Sequence, residues 1–343
     1  SGYHGGVHAY SYTGTVTITN NTFSKNSAVL AGGGVDVTSR QGTIIISNNT
    51  FSGNSARNGG VDAWSESGTI TITSNTFSGN SAMEDGGGVN AELVSGTITI
   101  TNNTFSGNSA HWDGGGVYVS SYYGPVTISN NTFSKNSAGW YGGGGVFARL
   151  YTDSPTLNVY NNIFFDNTSY SGDDLYVYCS HVANYIGATV NLYNNDFSGN
   201  ADFDTGRSED LRITLTGKYF HTGNIQQNPQ FIDLENGDFH LKPSSPCIDK
   251  GTADAPGLPE TDFEGDPRIV GAVPDIGADE YTEHPTPPPN QPPVVTSISQ
   301  SQSDGTQIPE EGVILEGTIV FKATLEDPDG DDVRLEIELR KID

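Results

Sequence analysis

Residues 86–110 read GGGVNAELVSGTITITNNTFSGNSA, and six other stretches of the chain repeat this sequence with small changes. The phenylalanine of the repeat recurs every 26–33 residues, at Phe23, Phe51, Phe77, Phe105, Phe133, Phe164 and Phe197. The valine of the Gly-Val pair advances with it, at Val7, Val35, Val61, Val89, Val117 and Val146, with Leu175 in the seventh copy. Self-similarity on this period is typical of solenoids built from stacked coils.

Apolar residues alternate with polar ones inside each copy. Ile98 and Ile100 stand two positions apart, as do Val35 and Val37 in the segment after the glycines. A period of two indicates β-strands, and no segment shows the three-and-four spacing of an amphipathic helix. We therefore predict an all-β parallel solenoid, with equivalent residues about 4.8 Å apart in successive coils.

Two polar columns accompany the phenylalanines. The second asparagine of the NNT element is present in every copy, at Asn21, Asn49, Asn75, Asn103, Asn131, Asn162 and Asn195, whereas Ser74 replaces the first in copy three. Because asparagine tolerates the left-handed corner conformation and its amides can stack from coil to coil, we expect the second column to form an inward ladder. The asparagine of FSGN is equally regular, and the phenylalanine column should fill the core between them.

The charge of the chain is −26, and most of it lies in the second half. Residues 1–165 carry eight acidic and five basic side chains, and the remaining residues carry 33 acidic and ten basic side chains. This balance argues against a nucleic-acid partner, which needs a basic face. It is compatible with Ca²⁺, with cationic partners or with solubility alone. No apolar run approaches the roughly 18 residues of a membrane-spanning helix.

The repeat gives way to other sequence after residue 200. We divide the chain into seven coils (1–200), irregular last coils with a C-terminal cap (201–282), a Pro-rich linker (283–293) and a final segment (294–343). A cap is expected because the end of a solenoid exposes unpaired backbone and apolar core. Cys179 in copy seven and Cys247 in the cap could form a disulfide or remain two buried free thiols.

The GGGV and FxxN elements resemble those of secreted right-handed β-helix proteins, including polymorphic outer-membrane-type surface proteins. Residues 228–281, NPQFIDLENGDFHLKPSSPCIDKG…DIGADEY, resemble the tail that follows many bacterial β-helices. The last segment resembles the start of a bacterial immunoglobulin-like module, but is half the usual length. The resemblance implies a right-handed parallel β-helix and export. It does not imply an activity, since this fold hosts lyases, adhesins and inert scaffolds.

In β-helix polysaccharide lyases, the resemblance would place chemistry on the outer face of the strand after the glycines. That outward row is His8, Asp36, Asp62, Asn90, Tyr118 and Phe147, and the next is Tyr10, Thr38, Trp64, Glu92, Ser120 and Arg149. Asp36 and Asp62 occupy adjacent coils, so their carboxylates could share a Ca²⁺ or raise each other's pKa. The alternative is a solvated strand face without chemistry.

Two further groups are candidates for binding. Trp112, Trp140 and Tyr141 precede the glycines of their coils and could hold a surface glycan or a protein, or cover the flank of the solenoid. Asp327, Asp329 and Asp331 belong to a DPDGD turn that resembles Ca²⁺-stiffened turns. That turn lacks the glutamate of a full EF-hand loop, so an acidic hairpin turn is the alternative.

The sequence as a whole favours a non-enzymatic, extracellular or cell-surface protein of adhesin-like or structural kind. A carbohydrate-active enzyme or a glycan-binding module is the second hypothesis. The repeat starts mid-coil and the last segment is short, so either the chain is an excised piece or copies complete one another end to end in a fibre. Unpaired strand edges at both ends would template such self-association.

Overall fold

The computed structural model describes residues 5–151, 155–179, 188–203, 205–209, 211–214, 218–282, 294–302 and 319–326. The chain forms two compact units, Ser1–Thr282 and Glu283–Asp343. Within the described residues there is no α-helix, and none of their helical segments has the length and hydrophobicity to cross a membrane. The predicted all-β class is confirmed.

The described residues of the first unit form four parallel sheets, and each sheet takes one short strand from successive coils. The GGGV sheet has eight strands: β1 (Val7–Ser11), β4 (Val35–Ser39), β8 (Val61–Ser65), β12 (Val89–Leu93), β16 (Val117–Ser121), β20 (Val146–Leu150), β23 (Leu175–Cys179) and β25 (Leu211–Thr214). The TIT sheet also has eight: β2 (Val16–Thr19), β5 (Thr43–Ser47), β9 (Thr69–Thr73), β13 (Thr97–Thr101), β17 (Val126–Ser129), β21 (Thr156–Tyr160), β24 (Thr189–Tyr193) and β26 (Lys218–Thr222).

The other two sheets are narrower. The Phe sheet contains β3 (Thr22–Ser24), β6 (Thr50–Ser52), β10 (Thr76–Ser78), β14 (Thr104–Ser106), β18 (Thr132–Ser134) and β22 (Ile163–Phe165). The Ser-Ala sheet contains β7 (Ser55–Ala56), β11 (Ser81–Ala82), β15 (Ser109–Ala110) and β19 (Ser137–Ala138). Because β25 and β26 extend the two wide sheets, the parallel stacking continues one coil beyond the seven copies recognised in the sequence.

Equivalent residues of the repeat pair with one another throughout. Ile98 lies between Ile70 and Val126 in the TIT sheet, and Phe105 lies between Phe77 and Phe133 in the Phe sheet. Successive phenylalanine rings stack from Phe23 to Phe197 with centroids 4.7–5.0 Å apart. The apolar column predicted from the repeat therefore forms the core of the solenoid.

The second asparagine of each NNT element forms the predicted ladder. From Asn21 to Asn195, each side-chain amide donates to the Oδ1 atom of its equivalent in the next coil over 2.9–3.1 Å, and Asn195 continues the ladder to Asn224. The corner conformation belongs to the other column. Asn20, Asn48, Ser74, Asn102, Asn130, Asn161 and Asn194 have φ of 53–58°. The two properties expected of one asparagine are thus divided between neighbouring residues: the first takes the left-handed corner and the second forms the ladder.

We expect Asn75→Ala to lower the free energy of unfolding by about 2–3 kcal/mol. Asn75 is fully buried, its side chain donates to the carbonyl of Ile46, and its Oδ1 atom accepts the backbone N–H of Asn49, so alanine removes a partner from each of these buried groups. Ser74→Gly is the matched control, because glycine tolerates the left-handed backbone and the change should stay within about 0.5 kcal/mol. Urea unfolding followed by circular dichroism measures both. Equal stability of the two variants would contradict the ladder.

The tail, residues 223–282, lies along a flank of the solenoid, whereas we expected a cap over its last coil. It contains the antiparallel pair β27 (Phe231–Asp233) and β28 (Asp238–Leu241), joined by a short 3-10 helix (Leu234–Asn236). The outward corner asparagines bind it. Asn102, Asn161 and Asn194 donate to the carbonyls of Thr261, Thr252 and Lys250, respectively. These contacts reach from the fourth coil to the seventh, so the tail braces the stack laterally.

The two cysteines are free and buried, so the disulfide alternative is not realised. Cys179 belongs to the core of the solenoid, whereas Cys247 belongs to a second apolar cluster beneath the tail. Burial raises the pKa of the Cys179 thiol to about 12. The Cys247 thiol donates to Asp196 Oδ2 at 3.3 Å. The two thiols therefore lie in separate clusters.

In the second unit, β29 (Val294–Gln302) and β30 (Ile319–Glu326) form an antiparallel pair. The Pro-rich linker and the turn with Asp327, Asp329 and Asp331 lie outside the described residues. The immunoglobulin-like module and a Ca²⁺ site in that turn stay predictions.

Candidate binding site

The outer face of the GGGV sheet carries the two rows predicted from the repeat. Asp36 pairs with Asp62, and Ser120 pairs with Arg149, each in the expected register. The first row is not a solvated face, however, because Asp36, Asn90, Tyr118 and Phe147 are all buried. Loops that precede the glycines fold over this row, as the hydrogen bond from Asn58 to Asp62 shows.

Asp36 and Asp62 form an acidic pair on adjacent strands. Asp36 Oδ2 lies 2.7 Å from His8 Nδ1, and Asp62 accepts hydrogen bonds from Asn58 at 3.0 Å and from Asn90 at 2.8 Å. Burial raises the pKa of Asp62 to about 6, and the charge of Asp36 adds to this effect. The expected electrostatic coupling is present at Asp62. A shared Ca²⁺ stays a prediction.

A pocket of about 210 Å³ opens further along the same face. Its walls are Asp113, Tyr141, Phe147, Arg149, Tyr176 and Tyr178. Phe147 and Arg149 alternate along β20 and therefore share one face, and their partners on β23 are Tyr176 and Tyr178. In-register pairing thus brings four large side chains together. Asp113 and Tyr141 come from the loops of two coils and close the side.

Arg149 is the basic side chain of this pocket. Its guanidinium carbon lies 4.9 Å from the ring centroid of Tyr151 and 5.7 Å from that of Tyr178. Contacts of this kind attract a cation to the ring face. Its Nε atom is buried and has no hydrogen-bond partner among the described residues. The aromatic rings therefore hold the guanidinium in place while one of its donors stays unpaired.

The acidic side chain of the pocket is Asp113. Its Oδ1 atom accepts from the backbone N–H groups of Tyr141 at 3.1 Å and Gly142 at 3.3 Å. Burial raises its pKa to about 6. Asp85 occupies the equivalent position one coil earlier, and burial together with the charge of Asp113 raises the pKa of Asp85 to about 7. Two neighbouring carboxyl groups are thus partly protonated near neutral pH.

The three aromatic residues predicted in the loops separate into two places. The backbone N–H of Trp140 donates to the carbonyl of Trp112, so these residues stand on adjacent coils. Trp140 packs edge-on against Tyr141 with ring centroids 6.0 Å apart. Tyr141 alone of the three lines the pocket, whereas Trp140 is 64% exposed beside it. Tyr141 and Trp140 therefore mark the rim of the site.

Sequence reasoning missed Asp113, Tyr176 and Tyr178. The two tyrosines could have been found by carrying the outward rows past Arg149 into copy seven, where Leu175 occupies the valine position. Asp85 and Asp113 were visible as acids that stand 28 residues apart immediately before their glycines. No local feature of the sequence indicated that the loop with Asp113 reaches the strands of later coils.

Comparison with known proteins supports the fold. No curated protein and no solved structure matches the chain. The family described as "Right handed beta helix region" matches residues 5–206, which include the GGGV sheet up to β23 and the pocket. This match covers more than half of the chain, and the stacked parallel sheets agree with it. The chain therefore belongs to the right-handed β-helix family.

Proposed function

We propose that this chain is a non-enzymatic, adhesin-like glycan-binding protein of the cell exterior or surface. The observation that carries the proposal is the pocket in which Tyr141, Tyr176 and Tyr178 surround Arg149. Small-ligand sites are concave and largely aromatic, with a few polar groups that set orientation. The β-helix family contains both structural and carbohydrate-active proteins, so the membership of this chain in the family is compatible with this role.

The chemistry of the pocket suits a sugar with an acidic substituent. Tyrosine rings offer flat apolar faces for the C–H groups of a pyranose, and their hydroxyls offer hydrogen bonds. The guanidinium of Arg149, which lines the pocket, provides charge-assisted donors for a carboxylate. Asp113 can accept from a sugar hydroxyl through the oxygen that does not bind Tyr141 and Gly142.

Binding is favoured over turnover because the ionisable groups are engaged within the fold. Asp113 holds two backbone amides, and the Arg149 guanidinium lies against Tyr151 and Tyr178. The alternative function is a lyase-like, carbohydrate-active enzyme. The raised pKa of Asp113 beside Arg149 favours that alternative, since a lyase needs a base and a cation near the substrate carboxylate.

Calorimetric titration with tetragalacturonate, a uronic-acid oligomer, and with neutral cellotetraose tests the proposal. We expect the acidic oligomer to bind more tightly. Tyr141→Ala should weaken both complexes about tenfold, equivalent to about 1.4 kcal/mol. Arg149→Gln should abolish the preference for the acidic sugar. Tyr170→Ala is the matched control, because Tyr170 is 83% exposed and does not line the pocket.

Ultraviolet absorbance of the same mixtures detects unsaturated uronic products. Binding without such products supports the adhesin-like role. Product release that disappears in Asp113→Asn would establish the enzymatic alternative instead. If neither oligomer binds, or if Tyr170→Ala weakens binding as much as Tyr141→Ala, the pocket is not a glycan site.

End-to-end self-association of copies of the chain stays a prediction from the sequence. The last strand of the TIT sheet, β26, pairs on one side with β24, and its outward side chains are exposed. An edge of this kind can accept a further strand, which is the physical basis of the expectation.

A further inference from the structure

A second cluster of ionisable side chains lies in the tail, away from the pocket. His240 on β28 lies near Glu264 and Asp279 from two later loops. One potential metal-ligand atom of each residue lies within 4.8 Å of those of the other two. His240 Nε2 lies 3.0 Å from Glu264 Oε2. Within the part of the chain that the structure describes, this is the one group of three such residues close enough to share an ion.

The histidine ring is held in the orientation that a metal ligand needs. Asp238 Oδ1 lies 2.6 Å from His240 Nδ1 and also accepts the backbone N–H of His240 at 3.0 Å. A carboxylate on the far nitrogen is the usual partner of a metal-binding histidine, because it fixes both the tautomer and the ring plane. Nε2 is therefore directed at the two carboxylates.

The carboxylates are placed by hydrogen bonds of their own loops. Asp262 Oδ1 accepts the backbone N–H of Glu264, and Asp262 Oδ2 accepts the backbone N–H of Glu280, the residue that follows Asp279. Asp262 therefore links the two segments that carry the carboxylate ligands. Asp279 is 7% exposed. Its burial, outweighing the nearby His240, raises the pKa of Asp279 to about 7. The backbone framework thus presents a buried carboxylate and an exposed one to the same nitrogen.

The cluster opens into a pocket of about 280 Å³, whose lining includes His240, Glu264 and Asp279 with Phe239 and Phe263. The opening admits a hydrated ion and leaves room for water as a fourth ligand. One imidazole nitrogen with two carboxylates suits Zn²⁺, which binds nitrogen and oxygen in four-coordinate sites. Ca²⁺ takes six to eight oxygen ligands and fits this set poorly.

We propose that His240, Glu264 and Asp279 bind one divalent transition-metal ion of the Zn²⁺ type, which fastens the β27–β28 hairpin to the later loops of the tail. The alternative is an ion-free triad. In that state burial opposes the charge on His240, but hydrogen bonds to Glu264 and Asp238 outweigh it and raise the pKa of His240 to about 9. A protonated His240 would then bridge the two carboxylates.

The test uses the full chain, purified without a polyhistidine tag, in titrations with ZnCl₂ and CaCl₂. We expect one Zn²⁺ per chain, a rise in melting temperature with Zn²⁺, and weak or no binding of Ca²⁺. Glu264→Gln changes an exposed residue and should abolish stoichiometric binding without unfolding the protein. Asp238→Asn should weaken Zn²⁺ binding about 10–100-fold through loss of ring orientation.

His111→Gln is the matched control, since His111 is an exposed histidine outside the cluster and should bind Zn²⁺ like the wild type. Co²⁺ in place of Zn²⁺ supplies a spectroscopic signature, a visible absorption band that Glu264→Gln should remove. Absence of stoichiometric Zn²⁺ binding, or equal binding by wild type and Glu264→Gln, would overturn the proposal and leave the ion-free triad.

Discussion

Phe105→Ala is expected to lower the free energy of unfolding by about 3–5 kcal/mol, the usual cost of truncating a buried aromatic side chain. Phe105 is fully buried, and its ring stacks on Phe77 at 4.7 Å and on Phe133 at 4.8 Å. Alanine would leave a cavity in the middle of the column. The flanking rings cannot close it, because the strands of the Phe sheet hold them in register.

Phe220→Ala is the control for this prediction, because Phe220 lies on β26 with 46% of its surface exposed. It should change stability by about 1 kcal/mol or less. Chemical unfolding followed by circular dichroism compares the two variants with the wild type. A solenoid can unfold coil by coil, so hydrogen exchange of the fourth and fifth coils should show the effect of Phe105→Ala most strongly. Wild-type stability of Phe105→Ala would mean that the column is not the core.

Arg268→Met is expected to destabilise the tail by about 3–5 kcal/mol, because it leaves a buried carboxylate without its counter-charge. Arg268 is 1% exposed and bridges Glu280 at 3.1 Å to the carbonyls of Gly277 and Ala278. It also reaches Asn102 of the fourth coil at 3.4 Å. The variant should therefore release the lateral brace and expose the tail, residues 223–282, to protease, while the coils keep their circular dichroism.

The effect should depend on pH. Burial already raises the pKa of Glu280 to about 7, and removal of the arginine raises it further. A carboxyl group whose folded pKa lies above its unfolded value stabilises the fold at low pH and loses that contribution as pH rises. The deficit of Arg268→Met should thus be smaller at pH 5 than at pH 8. Limited proteolysis of the wild type and Arg268→Met at the two pH values measures this difference in stability.

Lys135→Met is the control for Arg268→Met, because it breaks an ion pair between Lys135 and Glu235 in which the Glu235 side chain is largely exposed. Exposed pairs contribute about 0–1 kcal/mol. Equal protease resistance of Arg268→Met and the wild type would show that the buried pair does not secure the tail.

The repeat by itself determined the solenoid. In a parallel stack each strand pairs with its own equivalent, so the period that aligns Phe77 with Phe105 in the sequence also aligns them in space. The same reasoning yielded the Asn103 ladder and the outward rows that contain Asp62 and Arg149. The local pattern was sufficient for these features because each contact between coils joins residues that are one repeat apart in the sequence.

The tertiary structure alone decided the features that do not repeat. The tail has no period, so no sequence rule could show that Thr261 meets Asn102, or that His240, Glu264 and Asp279 converge. The pocket likewise depends on how far the loops before the glycines reach, since Asp113 meets strands one and two coils later. Such contacts are set by loop path and burial, which a one-dimensional pattern does not encode.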